Sequence, residues 1–158
     1  MAATPATTVL KAQRIAFELL EYAHDPRAEA YGLEAAEKLG LDPGSVFKTL
    51  VVSDEAKAHA LALVPSAGRL SFPEAARALG WKRAAMADPA AAQRLTGYVL
   101  GGISPFGTRR PLAVLADRSL LDWPRVHVSG GRRGLEIRIA PQDLVGVLSA
   151  VVAPIAIR

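Results

Sequence analysis

The stretch VFKTLVVSDEAKAHALALV, residues 46–64, decides the fold class. Its two apolar runs, Val46–Val52 and His59–Val64, flank the polar segment Ser53–Lys57. This pattern is typical of a β-hairpin. Lys48 lies inside the first run, where a lysine ordinarily marks the solvent face of a strand. The other interpretation is an ammonium held at a fixed position, where it can meet a phosphate or a developing oxyanion.

Short helices and further strands are predicted on both sides of this hairpin. Ser71-Phe-Pro-Glu74 has the form of a capping box, and Ile15–Ala23 is ambiguous between helix and strand. Because strands and helices do not alternate regularly, we expect a mixed α/β domain rather than a doubly wound sheet. The predicted helices run from Pro5 to about Arg14, Gly32 to Leu39, Ser71 to Leu79, Pro89 to near Gly97, and Pro141 to about Val151; the further strands are Leu112–Leu115, Arg125–Val128 and Leu135–Ile139.

Composition narrows the possible chemistry. The chain has 158 residues, of which 51% are hydrophobic and none is cysteine, so we expect one domain over residues 1–158. The lack of cysteine excludes disulfides, thiolate zinc sites, iron–sulfur clusters and a cysteine nucleophile in the protein. His24, His59 and His127 do not have metal-ligand spacing, so neither a metal nor another cofactor is expected. Without a signal peptide or a spanning segment, we expect a cytoplasmic protein with no membrane partner.

Charge is distributed unevenly along the chain. Residues 1–79 carry 8 Lys+Arg and 10 Asp+Glu, whereas residues 80–158 carry 11 and 5. A basic half with net charge +6 suggests an anionic partner such as nucleic acid, although a solvated arginine-rich surface has the same composition. The candidate phosphate contacts are Arg109, Arg110, Arg132 and Arg133.

Two glycine loops lie in this basic half. The segment 97–107, GYVLGGISPFG, lacks the lysine of a phosphate-binding P-loop, and Phe106 replaces the second glycine of a nucleophile elbow. The second loop is 128–134, VSGGRRG. Each loop could be a plain turn, or the two together could bring backbone N–H groups close to an oligoanion.

Four blocks in the same order resemble the YbaK/EbsC family: residues 47–50, 86–89, 96–107 and 128–134. The resemblance covers about Leu10 to Val151. It implies a partly closed mixed β-sheet surrounded by helices, a fold shared with the editing insertion of bacterial prolyl-tRNA synthetases. It also implies that the protein removes a wrong amino acid from tRNA. Such editing in a second site is needed because the binding pocket of a synthetase does not reject an amino acid of nearly the same shape.

The resemblance also implies roles for individual residues. Glu136 stands where one branch of the family has aspartate, and we expect no direct role for it. The catalytic set is Lys48, Gly101 and Gly102, the two glycines offering backbone N–H groups to the oxyanion. The substrate-binding set is Tyr22, Tyr31, Thr49, Ile103, Ser104, Pro105, Ser129, Gly130 and Gly131.

The implied reaction is deacylation of mischarged Cys-tRNA(Pro), and also of Cys-tRNA(Cys). The substrate's own thiol would attack its ester, so the protein acts by proximity and oxyanion stabilisation. The expected partners are the acceptor end of the mischarged tRNA and prolyl-tRNA synthetase. The alternatives are an alanine-specific deacylase that uses water, a non-catalytic module that binds RNA or a synthetase, and a small-molecule pocket.

Overall fold

A computed structural model describes residues 3–158 as a mixed α/β fold. Its helices are α1 (Pro5–Ala12), α2 (Tyr31–Leu39), α3 (Phe72–Leu79), α4 (Pro89–Thr96) and α5 (Pro141–Leu148). Its strands are β1 (Phe17–Glu21), β2 (Phe47–Ser53), β3 (His59–Pro65), β4 (Arg69–Leu70), β5 (Ala85–Met86), β6 (Ala113–Asp117), β7 (Val126–Ser129), β8 (Leu135–Ile139), β9 (Val151–Ala153) and β10 (Ala156–Ile157). Short 3-10 turns cover Pro43–Ser45 and Arg118–Asp122. Within residues 3–158, no helix combines the length and the apolar character that crossing a bilayer requires.

The predicted hairpin forms the centre of a five-stranded sheet in the order β5–β2–β3–β6–β9. Strands β2 and β3 pair antiparallel, with Lys48 opposite Val64. Strands β6 and β9 then add in parallel. The sheet is therefore mixed, as the irregular order of strands and helices predicted.

A second, antiparallel sheet in the order β1–β8–β7 closes part of the structure. An isolated parallel bridge between Val46 and His127 joins the start of β2 to β7. The remaining strands, β10 and β4, form a two-stranded ribbon. The two larger sheets thus make the partly closed arrangement that the family resemblance implied, with helices around it.

Two apolar clusters lie on opposite faces of β2. Phe47 and Val51 pack in the larger cluster with Phe106 and Ile137, whereas Val52 packs in the smaller one. Alternation along a strand explains this division, because successive side chains point to opposite faces. Burying each of these large side chains contributes about 1.5–3 kcal/mol.

Helix starts follow the sequence signals closely. The Ser71 hydroxyl accepts from the Glu74 amide at 3.3 Å, and Asp88 caps α4 by accepting from the Ala91 amide at 3.3 Å. The reciprocal bond of a capping box at Ser71 does not form, because the Ser71 amide donates to the Ile155 carbonyl at 2.7 Å.

Strand pairing determines the secondary structure of two segments whose sequence pattern was ambiguous or predicted the wrong boundary. The run Ile15–Ala23 contains a strand because Phe17–Glu21 pairs with β8. The last helix ends at Leu148 rather than Val151, since Ser149 adopts a left-handed φ of 49° and Val151–Ala153 pairs with β6.

Strand β8 corrects a second expectation. Alternation predicted one buried face with Glu136 and Arg138 on the other face. Arg138 is partly exposed, but Glu136 is only 7% exposed. The face that carries Glu136 lines a pocket, so both faces of this strand are covered there.

Candidate active site

A pocket of about 560 Å³ opens between the two larger sheets. Strand β2 forms one wall, the start of α2 and the loop 100–103 form the rim, and β7 and β8 each contribute a polar residue. Seven of the predicted site residues line it: Tyr22, Tyr31, Lys48, Thr49, Gly101, Ile103 and Ser129. Tertiary folding therefore brings together residues that lie more than 100 positions apart.

Lys48 lies on the β2 wall and is half-buried. Burial lowers the pKa of its ammonium, because a low-dielectric environment disfavours the charged form. No carboxylate among residues 3–158 lies within ion-pair distance of it. This lysine is therefore available to a group that enters the pocket.

The two glycine loops touch each other at the pocket rim. Gly101 has a φ of +84°, and a Cβ there would lie 2.8 Å from the Tyr31 ring. A Cβ at Gly102 would lie 2.9 Å from the Cα of Arg132, in the other loop. The Tyr98 hydroxyl donates to the Phe106 carbonyl at 2.6 Å and ties the first loop to itself. Glycine is favoured at position 101 by the positive φ and at position 102 by the close approach of the other loop's backbone.

The backbone amides of the first loop differ from the prediction in one respect. The Gly102 amide donates to the Val99 carbonyl at 2.9 Å, so it is not available to an oxyanion. Within residues 3–158, the Gly101 and Ile103 amides reach no hydrogen-bond acceptor. Both residues line the pocket. The geometry thus replaces Gly102 with Ile103 as the second candidate donor.

Four of the predicted substrate-binding residues do not line the pocket. The Ser104 hydroxyl is fully buried and accepts from the Phe106 amide at 3.3 Å. The Gly130 amide donates to the Leu135 carbonyl at 2.8 Å, within the turn between β7 and β8. These contacts shape the two loops. The other two residues, Pro105 and Gly131, are the chain neighbours of Ser104 and Gly130 and also do not line the pocket.

The polar side chains of the pocket lack strong bases as partners. The Thr49 hydroxyl is buried with no hydrogen-bond partner in the described chain, and the Ser129 hydroxyl accepts from the Gly131 amide at 3.2 Å. Burial, with a smaller contribution from the charge of Glu136, raises the pKa of Tyr22 to about 12. None of these groups is placed to become a nucleophile near neutral pH.

One serine does lie near a histidine, but outside the pocket. The Ser45 hydroxyl is 3.3 Å from Nδ1 of His127, and both residues are buried. Nε2 of His127 accepts from Nε of Arg138 at 3.0 Å. Both ring nitrogens are engaged, and burial lowers the pKa of this histidine. The pair belongs to the junction of the two sheets.

The predicted phosphate-binding arginines occupy different places. Arg109 and Arg110 are exposed beside the end of α4, and Arg132 lies 3.7 Å from Glu21. Arg133 donates from Nε to the Leu100 carbonyl at 2.8 Å, and its guanidinium lies 5.0 Å from the centre of the Tyr31 ring. Arg133 thus joins two sides of the pocket rim. Phosphate binding stays a prediction for all four arginines.

A buried glutamate that no sequence motif marks shapes the loop before α2. The carboxylate of Glu34 lies 2.7 Å from Nδ1 of His24 and accepts from the Asp25 amide at 2.7 Å and from Nζ of Lys38 at 3.0 Å. We call these four residues the Glu34 cluster. Burial opposes ionisation of Glu34, but the hydrogen bonds outweigh it and lower the pKa to about 2. The spacing of Glu34 and Lys38, one helical turn, was the one sequence signal for this cluster.

No group of three or more histidine, cysteine or carboxylate side chains suited to a metal ion occurs in the part of the chain that the structure describes.

Solved structures with the same fold indicate the class of this protein. A crystal structure provisionally assigned as a trans-editing enzyme for prolyl tRNA synthetase superimposes with a TM-score of 0.84 and 28% identity, covering 100% of both chains. The hypothetical protein APE2540 superimposes with a TM-score of 0.87 and 28% identity, covering 98% of this chain and 100% of that one. The class is that of enzymes that deacylate aminoacyl-tRNA.

The sequence model of the aminoacyl-tRNA editing domain matches residues 26–147, and the chain belongs to this family. A relative from Enterococcus faecalis (strain ATCC 700802 / V583), provisionally named Cys-tRNA(Pro)/Cys-tRNA(Cys) deacylase EbsC, is 29% identical over 123 residues, 78% of this chain and 75% of that protein. The expected YbaK/EbsC relationship is confirmed, as is an editing reaction on an aminoacylated tRNA.

Proposed function

We propose that this protein removes cysteine from mischarged Cys-tRNA(Pro), and also from Cys-tRNA(Cys), as a free-standing editing enzyme. The similarity to EbsC supports this choice of amino acid. The observation that carries the proposal is the chemistry of the pocket. Among residues 3–158, no hydroxyl that lines it has a histidine or a carboxylate within hydrogen-bond distance. A thiol carried by the substrate supplies the nucleophile that the pocket lacks.

The proposed step conserves all atoms without water. The cysteinyl sulfur attacks the ester carbonyl carbon, a C–S bond forms, and the bond from that carbon to the ribose oxygen breaks. The thiol proton ends on the ribose oxygen, so the products are a cyclic thiolactone and uncharged tRNA. Holding thiol and ester together replaces a bimolecular encounter, which is worth effective molarities of about 10⁵–10⁸ M when the geometry is good.

The protein's part is to hold the ester and stabilise the oxyanion. Among residues 3–158 the amides of Gly101 and Ile103 have no acceptor, and both residues line the pocket. We assign these amides to the oxygen that becomes negative. Lys48 faces the same space from β2, and its ammonium attracts the oxyanion or the terminal phosphate. One such donor is typically worth about 2.7–4 kcal/mol of the barrier.

A second candidate is an Ala-tRNA(Pro) deacylase that uses water. The observation that favours it is the buried carboxyl of Glu136 in the pocket, whose ionised form would take a proton from an attacking water. In either case we propose that residues 1–158 form one editing domain, that it acts in the cytoplasm, and that prolyl-tRNA synthetase presents the mischarged tRNA.

The test compares deacylation of tRNA(Pro) charged with cysteine, S-methylcysteine, alanine or proline. The proposal expects rapid loss of cysteine, a thiolactone among products trapped early, and little reaction of the other three. Rapid release of S-methylcysteine or alanine, with oxygen from water in the product acid, would contradict it and support the water-using enzyme.

A further inference from the structure

Glu136 has no role in the thiol mechanism proposed above, yet its position in the pocket is unusual. Its side chain, on β8, is only 7% exposed and lines the pocket. Among residues 3–158 it has neither a hydrogen bond nor an ion pair. Lys48 lines the same pocket but lies beyond ion-pair distance. The pocket therefore contains a cation and a buried acid that do not neutralise each other.

Burying a carboxyl without a partner is costly. Burial alone raises the pKa of Glu136 to about 8, so this carboxyl is the neutral acid near pH 7 unless a cation lies beside it. The neighbouring side chains do not relieve this cost. Ser129, which pairs with Glu136 across the two strands, donates to no carboxylate among residues 3–158. Tyr22 is a phenol whose own pKa is raised. A cation from the ligand would offset the cost of ionising the acid.

The acceptor end of an aminoacyl-tRNA supplies one cationic group beside the ester, the α-ammonium, whose pKa is ordinarily about 7.7–8.0. We propose that Glu136 binds this α-ammonium and thereby restricts the enzyme to tRNAs whose amino acid has a free amino group. The other acid that lines the pocket, Glu29, is exposed at the rim, where water screens its charge. The inference rests on the deacylase reaction and not on which amino acid is removed.

A restriction of this kind has a physical consequence for substrate choice. A formylated or peptidyl amino acid has an amide in place of the ammonium, so it would leave Glu136 without a cation. The enzyme would then spare initiator and peptidyl-tRNAs. A hydrogen bond to a charged group predicts discrimination of about 10–100-fold.

The experiment measures single-turnover deacylation of three substrates on tRNA(Pro): cysteinyl, 3-mercaptopropionyl and N-acetylcysteinyl. The second lacks the amino group and adds no bulk, and all three keep the thiol. Each is assayed with the wild type, with Glu136→Gln and with the rim control Glu29→Gln. We expect the wild type to prefer cysteinyl-tRNA by about 10–100-fold, Glu136→Gln to lose most of that preference, and Glu29→Gln to keep it.

Two results would overturn the inference. One is a wild-type enzyme that deacylates cysteinyl- and 3-mercaptopropionyl-tRNA at equal rates. The other is a Glu136→Gln variant that slows both substrates equally, which would indicate a base in the chemistry. The assay is repeated with alanyl- and propionyl-tRNA, which differ only in the amino group. The ratio of their rates tests ammonium binding by Glu136 even if the proposed removal of cysteine is wrong. Thermal melting of each variant verifies that it is folded.

Discussion

Two buried glutamates in this molecule have opposite properties. Glu34 is 8% exposed and Glu136 is 7% exposed, but their pKa values are about 2 and about 8. Glu34 is surrounded by donors from His24, Asp25 and Lys38, whereas burial acts alone on Glu136. The same contrast holds for two lysines, since Lys38 pairs with Glu34 and Lys48 has no carboxylate partner in the described chain. Burial by itself thus says little about function; a buried charge whose partners are missing points to a ligand.

The largest effect is expected where the buried charge is fully partnered. Glu34→Ala removes the acceptor for three donors, and breaking such a cluster should lower the free energy of unfolding by about 3 kcal/mol. Chemical denaturation at pH 7 measures it. The control is Glu37→Ala, an exposed glutamate on the same helix, which should cost within about 0.5 kcal/mol. Equal losses of unfolding free energy in Glu34→Ala and Glu37→Ala would show that the Glu34 cluster does not stabilise the fold.

The unpartnered lysine should affect catalysis instead. Lys48→Ala should lower the single-turnover deacylation rate by about 100-fold or more, equivalent to ~2.7 kcal/mol of barrier, with little change in stability. The matched control is Lys38→Ala, which should lower stability and leave the rate of the folded protein nearly unchanged. A fully active Lys48→Ala variant would show that the pocket does not use this ammonium.

The pH dependence of stability should have opposite sign for the two glutamates. The pKa of Glu34 is lowered on folding, so its contribution is present above pH 4.5 and is lost as pH falls toward 2. The pKa of Glu136 is raised, so its contribution is present below pH 4.5 and is lost as pH rises toward 8. Glu136→Gln should therefore gain stability relative to the wild type as pH rises from 4.5 toward 8, and the difference should vanish near pH 4.5. Melting curves across this range would contradict the assignment if the gap did not change with pH.

The smallest effect concerns the rim. Arg133→Lys keeps the charge but loses the Nε donor to Leu100 and the planar group beside Tyr31, so kcat should fall about 5–10-fold, or ~1 kcal/mol. Arg132→Lys is the control, since its contact with Glu21 is exposed and long, and kcat should not change. If Arg133→Lys alters only the salt dependence of tRNA affinity, Arg133 binds phosphate and does not position the loop.

Much of the fold was predictable because its signals are local. The hairpin around Ser53–Lys57, the helix starts at Ser71 and Pro89 and the helix end at Leu39 each depend on residues close in sequence. Strands β9 and β10 were not predictable, since they exist through pairing with β6 and β4.

By itself the sequence determined that the protein has no thiol, that its second half is basic, and that its ordered glycine blocks match an editing family. Only the tertiary structure decided which site residues face the pocket. It engaged the Gly102 amide in a turn, left the amides of Gly101 and Ile103 without an acceptor among residues 3–158, and placed Arg133 against Tyr31. It also buried Glu136 on the face that alternation had assigned to solvent. The physical reason is that burial and hydrogen-bond satisfaction are properties of what packs opposite a residue, and the sequence pattern of one strand contains no record of its neighbours.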